Sequence, residues 1–534
     1  MKKYQLYFLI LTIYLLLNGC GSDAAKVHVA GVVTYTFVPV THGGLDYQAS
    51  EERPIRGAVV QVVDVSQKKI ISQGTTDERG HYSLQAEENT TVFVRVRAEL
   101  GNPEDPNTRV VDNTKGDSIY LVEFPVEVVK DPILDVSFNA TTTFNENRDE
   151  FNRNRNGAPF AILDTIYTSQ QKIKSVDSAV DFPFLSVNWS INNNTNAGTL
   201  AEGDIGTSFY SDGELYILGA ADNDTDEYDA HVIAHEWAHY FEDKLSRADS
   251  IGGRHGEEDI LDATVAFSEG FGNAWAGMML DEPLYYDTAE LNQATVALEL
   301  NLEKDSVSDT LFGTFGNGDH DLLFDGFYSE SSVHEILFDL YDGEGVNTDS
   351  DGVQVAFKDI YGALVGQQKE TPAFTTIFSF IAGLKAGMNG LKATQVDRLA
   401  EGENIRVADA FGSSNTVSLY QLISPDSTKS PGETLGFFNN DSESDSLDSN
   451  RLYNRQFFRF NISATGCYRV TISDVDDSSA DVFVHFPNSF LEFKSGVLRD
   501  YDKTGEHALA VASRNGSRFL PITYSLALSS ASGC

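Results

Sequence analysis

A short motif in the middle of the chain places the strongest limit on how this sequence folds. Residues 235–239 read His-Glu-Trp-Ala-His, so His235 and His239 are four residues apart. In an α-helix this spacing is about one turn, and both imidazoles then lie on the same face. Apolar residues at helical spacing surround the motif, and Asp229 precedes it as a favourable helix start. The sequence therefore predicts a helix over residues 228–245.

Two imidazoles on one helical face are suited to share a zinc ion. Glu236 is rotated away from that face by one residue, which suits a general base better than a ligand. A catalytic zinc needs a third protein ligand. The segment Ala-Phe-Ser-Glu-Gly-Phe-Gly-Asn at residues 266–273 offers Glu269, because its small residues permit a second helix to approach the first. Asn273, one turn later, is placed to hold a ligand imidazole.

The third ligand has competitors in the segment between the two predicted helices, namely His255, Glu257, Glu258, Asp259 and Asp262. His231 also extends the histidine series by one turn. However, a helix separates His231 from His239 by about 12 Å, so one tetrahedral ion cannot bind all three histidines. We expect His231 to lie at the start of the helix, or to contact the metal ligands without binding the metal itself.

This arrangement resembles the gluzincin metallopeptidases, the thermolysin-like class with His-Glu-x-x-His on one helix and a glutamate on the next. The resemblance implies one catalytic Zn²⁺ held by His235, His239 and Glu269. It also implies hydrolysis of peptide bonds in a protein or peptide substrate, with Glu236 activating a water at the zinc. The metzincin class is excluded, because position 245 is leucine where that class has a histidine ligand.

The same resemblance implies a downstream residue that stabilises the oxyanion. Ser-Val-His at residues 332–334 supplies His334 for this role, and Tyr328 lies nearby in the sequence. One position departs from the family: thermolysin-like enzymes have aspartate where this chain has Asn273, a weaker acceptor for an imidazole. Residues 214–220 lie where gluzincins have an edge strand that pairs with extended substrate, although an ordinary core strand fits these residues equally well.

The chain is strongly acidic, and this limits its partners. It has 80 aspartate and glutamate residues against 38 lysine and arginine residues, for a net charge of −42. Such a field repels phosphate backbones, so we do not expect the protein to bind nucleic acid. Residues 222–226 and 349–352 are similar to calcium-binding loops, but neither has EF-hand spacing. Solvated acidic turns explain both runs as well, and Ca²⁺ stays an open alternative.

The first residues are typical of an export signal. Lys2 and Lys3 precede an apolar run at residues 4–17 that is too short to span a membrane, and Leu-Asn-Gly-Cys follows. This end resembles the bacterial lipobox, which implies that residues 1–19 are removed and that Cys20 carries a lipid. The expected location is the bacterial outer membrane or cell surface, with the lipid as the membrane contact.

Two cysteines remain once Cys20 is assigned to lipid. Cys467 and Cys534 bracket the last 68 residues in a compartment that permits disulfides. A bond between them would fix the end of the chain. The sequence therefore predicts a Cys467–Cys534 disulfide.

The spacing of apolar residues changes along the chain from the alternation of strands to the spacing of helices and back. This predicts a multidomain protein with an N-terminal β-sandwich, a central α+β zincin-type domain with a helical C-terminal lobe, and a C-terminal β-sandwich. Residues 54–60 and 76–83 resemble the carboxypeptidase-regulatory-like, transthyretin-like sandwich, and the last segment resembles the pre-peptidase C-terminal module. Further helices are expected at residues 160–173, 262–280, 288–303, 331–341, 353–365 and 371–388. The expected boundaries are residues 20–100 for the first sandwich, 101–140 for a connection, 141–424 for the metallopeptidase domain, 425–450 for a polar linker and 451–534 for the last sandwich.

Two functions from different classes fit these observations. The first is a membrane-anchored, extracytoplasmic zinc peptidase. An endopeptidase is favoured by the apparent edge strand and by the absence of the Gly-x-Met-Glu-Asn signature that reads a free N-terminus. The alternative is a surface binding or adhesion lipoprotein whose central domain is an inactive remnant. The intact Glu236 favours the peptidase, and the sequence does not predict an oligomeric state.

Overall fold

The computed structural model describes residues 25–129, 133–140, 143–145, 151–152, 155–256, 259–293, 295–303, 325–341, 353–429, 450–476, 478, 480–489, 493–514 and 522–534. The predicted signal segment, Cys20 and most of the predicted 425–450 linker lie outside these residues. No helix in these ranges combines the length and the apolar character that crossing a membrane requires.

The chain divides into two compact units, and each is described separately. The first contains the residues up to Phe37 together with Glu51–Arg109 and Ser118–Phe160. The second contains Val38–Ser50, Val110–Asp117 and Ala161–Cys534. The multidomain organisation and the combination of β-sheets with helices agree with the predicted fold class.

The first unit consists mainly of two β-sheets. One is built on Lys26–Phe37, whose neighbours are His81–Glu87, Glu51–Pro54, Ile133–Asp135 and Phe138–Asn139. The other has the neighbouring order Lys69–Thr75, Ala58–Asp64, Thr91–Asn102, Ser118–Val128, Thr143–Asn145 and Phe151–Asn152. Buried and less buried residues alternate along much of Lys26–Phe37 and Thr91–Asn102, as expected for strands with one covered face.

The predicted connection at residues 101–140 is largely β-strand. Ser118–Val128 pairs antiparallel with Thr91–Asn102, and the strand Asp105–Asp112 begins as the second arm of a hairpin with Thr91–Asn102. Ile119 and Leu121 are buried. The alternating apolar residues of Ser118–Val128 therefore belong to the sheet of the first unit.

Most of the helical residues lie in the second unit. The α-helices of the described residues are α1 Ala158–Val176, α2 Ala230–Lys244, α3 Ala263–Leu280, α4 Glu330–Tyr341, α5 Phe357–Ala363, α6 Ile377–Lys385 and α7 Gly390–Gly402. A π-helical segment, Leu364–Gln368, follows α5. Six of the predicted helices correspond to α1 to α6, with shifted ends, while α7 was not predicted.

The predicted helix at residues 288–303 is wrong. The structure has an antiparallel hairpin here, made of Leu284–Ala289 and Thr295–Asn301. Glu290 and Gln293 have positive φ angles of 70° and 51°, which turn the chain and do not occur within a right-handed helix. The hairpin extends a sheet whose other strands are Gly219–Ala220 and Asp224–Thr225. A separate small hairpin joins Val40–Thr41 to Gly44–Leu45.

The strand Glu214–Ile217 is not an edge strand. It pairs in parallel with Leu185–Trp189 on one side and antiparallel with Phe209–Ser211 on the other. Both of its hydrogen-bonding sides are therefore used within the protein, and substrate cannot add a strand there. The alternative interpretation, an ordinary core strand, describes this segment.

The last part of the chain forms two four-stranded sheets. One has the order Tyr420–Leu422, Gln456–Ile462, Gly505–Arg514 and Asp481–His485, and the other has the order Ser427–Lys429, Ser525–Ser530, Gly466–Ser473 and Val497–Tyr501. Their buried side chains form one hydrophobic cluster, so the two sheets make a sandwich. Cys467 and Cys534 form a disulfide, as the sequence predicted.

A buried ion pair attaches this C-terminal sandwich to the start of α3. The Nε and Nη2 atoms of Arg455 donate to the two carboxylate oxygens of Asp262 at 2.9 and 2.7 Å, and both side chains are 1% exposed. Asp262 also accepts a hydrogen bond from the backbone N–H of Thr264 and thereby caps α3. The guanidinium is therefore fixed to the residue that begins the helix.

We predict that Arg455→Met lowers the free energy of unfolding of the second unit by about 3–5 kcal/mol, because Asp262 is left buried without its cation. The matched control is Arg459→Met, four residues further along the chain, whose pair with Asp409 is 3.7 Å long and partly exposed. That variant should cost no more than about 1 kcal/mol. Denaturant unfolding followed by tryptophan fluorescence reports on this unit, since Trp189, Trp237 and Trp275 all lie in it. Equal costs for the two variants would contradict the anchoring role.

Candidate metal centre

Helices α2 and α3 pack through an aromatic cluster that sets their relative position. The rings of Phe241 and Trp275 stack with centroids 4.6 Å apart, and Phe271 lies 5.2 Å from Trp275. These three side chains are at most 1% exposed, as is Trp237. Large aromatic groups buried on one side of the helix pair leave the other side to the polar residues of the motif.

On that polar side the two helices approach closely because α3 has glycine at two positions. A Cβ atom on Gly272 would lie 2.7 Å from Cε1 of His235, which is closer than carbon atoms can pack. A Cβ atom on Gly270 would lie 2.5 Å from the backbone oxygen of Glu330 on α4. Because glycine has no side chain at either position, α3 can lie between α2 and α4.

The three predicted metal ligands converge. The Nε2 atoms of His235 and His239 lie 3.4 and 3.3 Å from Oε2 of Glu269, and 3.2 Å from each other. Two ring nitrogens and one carboxylate oxygen thus point at a common volume. His235 and Glu269 are each 7% exposed, whereas His239 is more open.

Each histidine is oriented through its second ring nitrogen. Nδ1 of His235 lies 2.9 Å from Oδ1 of Asn273, a distance at which the ring N–H donates to the amide oxygen and leaves Nε2 free for a metal. Nδ1 of His239 lies 3.3 Å from the hydroxyl of Ser268, which in turn donates to Glu242 at 2.6 Å. Asn273 therefore contacts a histidine of the motif, as the sequence predicted. The contact of the Ser268–Glu242 pair with His239 was not predicted.

The position of Glu242 in the sequence could have predicted its contact with the His239 environment. It lies three residues after His239 and so shares its helical face. It is 1% exposed, and a buried glutamate beside a histidine requires a partner. Ser268 carries no such signal, because only the packing of α3 on α2 brings it there.

Electrostatics separate the roles of the two central glutamates. Burial opposes ionisation of Glu269, but the adjacent His255 and His239 outweigh it and hold the pKa of Glu269 well below its usual range. Burial raises the pKa of Glu236, and the nearby His235 and His239 only partly offset this. Glu269 therefore ionises more readily than an isolated glutamate, whereas Glu236 holds a proton more readily.

The competing third ligands can now be placed. Asp259 forms an ion pair with Arg451 at 2.8 Å, and Asp262 is bound to Arg455, so both are engaged elsewhere. Glu257 and Glu258 lie outside the described residues. His255 reaches the site: its Nε2 lies 3.2 Å from Oε2 of Glu269.

His255 is held between two carboxylates. Its other ring nitrogen, Nδ1, lies 2.7 Å from Oε2 of Glu330 at the start of α4. Burial opposes protonation of His255, but Glu269 and Glu330 outweigh it and raise its pKa to about 10. A protonated His255 would balance the charge of Glu269. The part played by Glu330 was not predicted, because it depends on a contact across 75 residues.

His231 does not join the site. Its Nε2 lies 3.3 Å from the backbone oxygen of Glu282, and its ring lies 5.2 Å from that of Tyr285. Burial lowers the pKa of His231 to about 4, so the side chain is neutral near pH 7. It therefore supports the start of α2, in agreement with the helical spacing argument.

His334 lies on α4, one turn beyond Glu330 and on the same helical face. It is 2% exposed. The predicted role of His334 at the oxyanion stays a prediction. Tyr328, the neighbouring candidate, donates its hydroxyl to the backbone oxygen of Asp325 at 3.2 Å.

Comparisons with known proteins add little to this geometry. No protein-family model and no curated protein matches the chain. Among solved structures, the major plantain pollen allergen Pla l 1 is 24% identical over 22% of this chain and 94% of the allergen, with a TM-score of 0.13. A 9R-lipoxygenase from Cyanothece PCC8801 is 10% identical over 32% of this chain and 29% of the lipoxygenase, with a TM-score of 0.14. Similarity at this level carries no argument about fold or function.

We predict that Gly272→Ala weakens zinc binding by about 10–100-fold, because the new methyl group displaces the His235 ring from its bond with Asn273. Competition with a chromophoric chelator measures the zinc affinity. The control is Gly362→Ala on α5, where a Cβ atom meets nothing within 4 Å. Unchanged zinc affinity in a folded Gly272→Ala chain would show that the ring has room to move.

Proposed function

We propose that this protein is a zinc-dependent metallopeptidase of the gluzincin type. The observation that carries the proposal is the convergence of His235, His239 and Glu269, whose donor atoms lie 3.2–3.4 Å from one another. Glu236, next to the first ligand on the same helix, supplies the base that hydrolysis requires.

The donor set fits zinc better than a hard cation such as calcium or magnesium. Two imidazole nitrogens and one carboxylate oxygen are the ligand types of catalytic zinc sites, which keep a further position open for water or substrate. His239 is the more exposed of the two histidines, so the site is accessible from one side. When held by His235, His239 and Glu269, zinc would polarise the substrate carbonyl and lower the pKa of water.

The protein side chains then have separate tasks. Asn273 and the Ser268–Glu242 pair keep the two imidazoles in their ligand orientation. Glu236 accepts a proton from the attacking water and passes it to the leaving amine. Its raised pKa suits both steps, because the group must take up the proton and release it within one cycle. His334 is proposed as donor to the oxyanion.

One of the two sequence arguments for an endopeptidase, the apparent edge strand, no longer holds. The strand Glu214–Ile217 is paired on both sides and cannot bind substrate by strand addition. The endopeptidase proposal therefore depends on the absence of an N-terminus-reading Gly-x-Met-Glu-Asn segment. Export, lipid attachment at Cys20 and assignment of the flanking sheets to the two named sandwich families belong to the same proposal.

We predict that Glu236→Gln reduces kcat for peptide cleavage by about 10²–10⁴-fold, because the proton acceptor is lost while the ligands remain. The experiment uses a chain that starts at residue 21, a mixed peptide library and zinc analysis of each preparation. Glu401→Gln, at an exposed position of α7, is the matched control and should cleave like the parent chain.

The outcomes distinguish the functional classes. Cleavage that a zinc chelator abolishes and added zinc restores would support a peptidase, and cuts confined to one terminus would make it an exopeptidase. If the folded, zinc-loaded parent chain cleaves no member of the library, the peptidase proposal fails, and the alternative of a binding protein with an inactive zincin domain takes its place.

A further inference from the structure

A second group of acidic side chains lies just before α2. Asp224, Asp226 and Asp287 each offer a carboxylate oxygen, and these oxygens lie within 4.8 Å of one another. Asp224 lies on the strand Asp224–Thr225, and Asp226 follows it directly. Asp287 lies on the strand Leu284–Ala289, which pairs antiparallel with the first strand. Together with Asp229, the residue before α2, we call them the acidic cluster. Of the two calcium-like runs in the sequence, residues 222–226 contribute to it, and residues 349–352 lie outside the described residues.

Among the described residues, several buried carboxylate oxygens of the acidic cluster have no hydrogen-bond partner. Asp229 is fully buried, and its Oδ2 accepts hydrogen bonds at 2.8 Å from the backbone and hydroxyl of Thr288. No donor in the described part of the chain reaches its Oδ1. Asp226 is 3% exposed; its Oδ2 accepts from the hydroxyl of Ser208, while its Oδ1 meets no donor in the same ranges. Oδ1 of Asp224 and Oδ1 of Asp287 likewise have no partner within the residues that the structure describes.

In the described ranges, no lysine, arginine or histidine forms an ion pair with a member of the acidic cluster, so these oxygens have no compensating positive charge there. Burial, followed by mutual repulsion, raises the pKa of Asp226 and Asp229 well above the usual range. Burial and Asp224 raise the pKa of Asp287 to about 8. Unpaired buried carboxylates destabilise a fold, and proteins usually pair them or use them to coordinate a metal.

We propose that the acidic cluster binds one hard divalent cation of the calcium type. All available donors are oxygens, and no imidazole or thiolate takes part, which disfavours zinc and favours calcium. Calcium accepts six to eight oxygen ligands in flexible arrangements, so the three converging carboxylates of Asp224, Asp226 and Asp287, with added water, suit it. The cation would join the Asp224–Asp226 segment to the strand of Asp287. This site is separate from the zinc ligands, and the proposal does not depend on peptidase activity.

The test measures calcium binding to the zinc-loaded chain starting at residue 21. Calorimetric titration with CaCl₂ should give one site, with magnesium binding at least tenfold more weakly. Asp287→Asn should weaken calcium binding by at least tenfold, since it removes one ligand charge. The matched control is Asp222→Asn, an exposed aspartate of the same acidic run, which should leave the affinity unchanged.

Thermal unfolding provides a second readout that separates ligand loss from misfolding. Without calcium, Asp287→Asn should unfold at the same temperature as the parent chain or higher, because one repulsive charge is gone. Added calcium should raise the Tm of the parent chain and of Asp222→Asn, but not that of Asp287→Asn. No calcium binding by the folded parent chain would overturn the proposal. So would a loss of binding in Asp222→Asn with retention in Asp287→Asn, because the exposed turn would then be the ligand. Glu236→Gln should bind calcium normally, so failure of the peptidase proposal leaves this test intact.

Discussion

The close approach of α2 and α3 is the constraint on which the rest of the centre depends. Gly272 lies against the His235 ring without room for a single methyl group. The aromatic packing of Phe241 on Trp275 holds the helices together on the opposite side. With the helix pair fixed in this way, Glu269 reaches both histidines. A wider separation of the helices would move Glu269 out of reach of both histidines.

The segment between these helices is fixed by the C-terminal sandwich. Arg455 binds Asp262 at the start of α3, and Asn450 donates to the backbone oxygens of Gly252 and Arg254. The loop so held carries His255 into contact with Glu269. These contacts therefore tie the C-terminal sandwich to the candidate metal centre, although the polar composition of the preceding segment predicted a separate module behind a linker.

The candidate metal centre and the acidic cluster before α2 differ in how their charged groups are arranged. At the metal centre, the carboxylates of Glu269 and Glu330 face the His255 ring, so negative and positive groups compensate. In the acidic cluster before α2, burial and mutual repulsion instead raise the pKa values of Asp226 and Asp229 well above their usual range. The proposed cation would offset that repulsion, and part of the acidic composition would then do more than keep the chain soluble.

Local spacing was enough to predict the helix with His235 and His239 on one face, because the four-residue interval matches the helical turn whatever the rest of the chain does. The same local reasoning gave α3 with Glu269 and Asn273. It failed at residues 288–303, where short apolar spacings fit a helix as well as the hairpin that forms. Contacts such as His255 with Glu330 were decided by the tertiary structure alone. They join segments far apart in sequence, and no periodicity within either segment encodes which distant partner it meets.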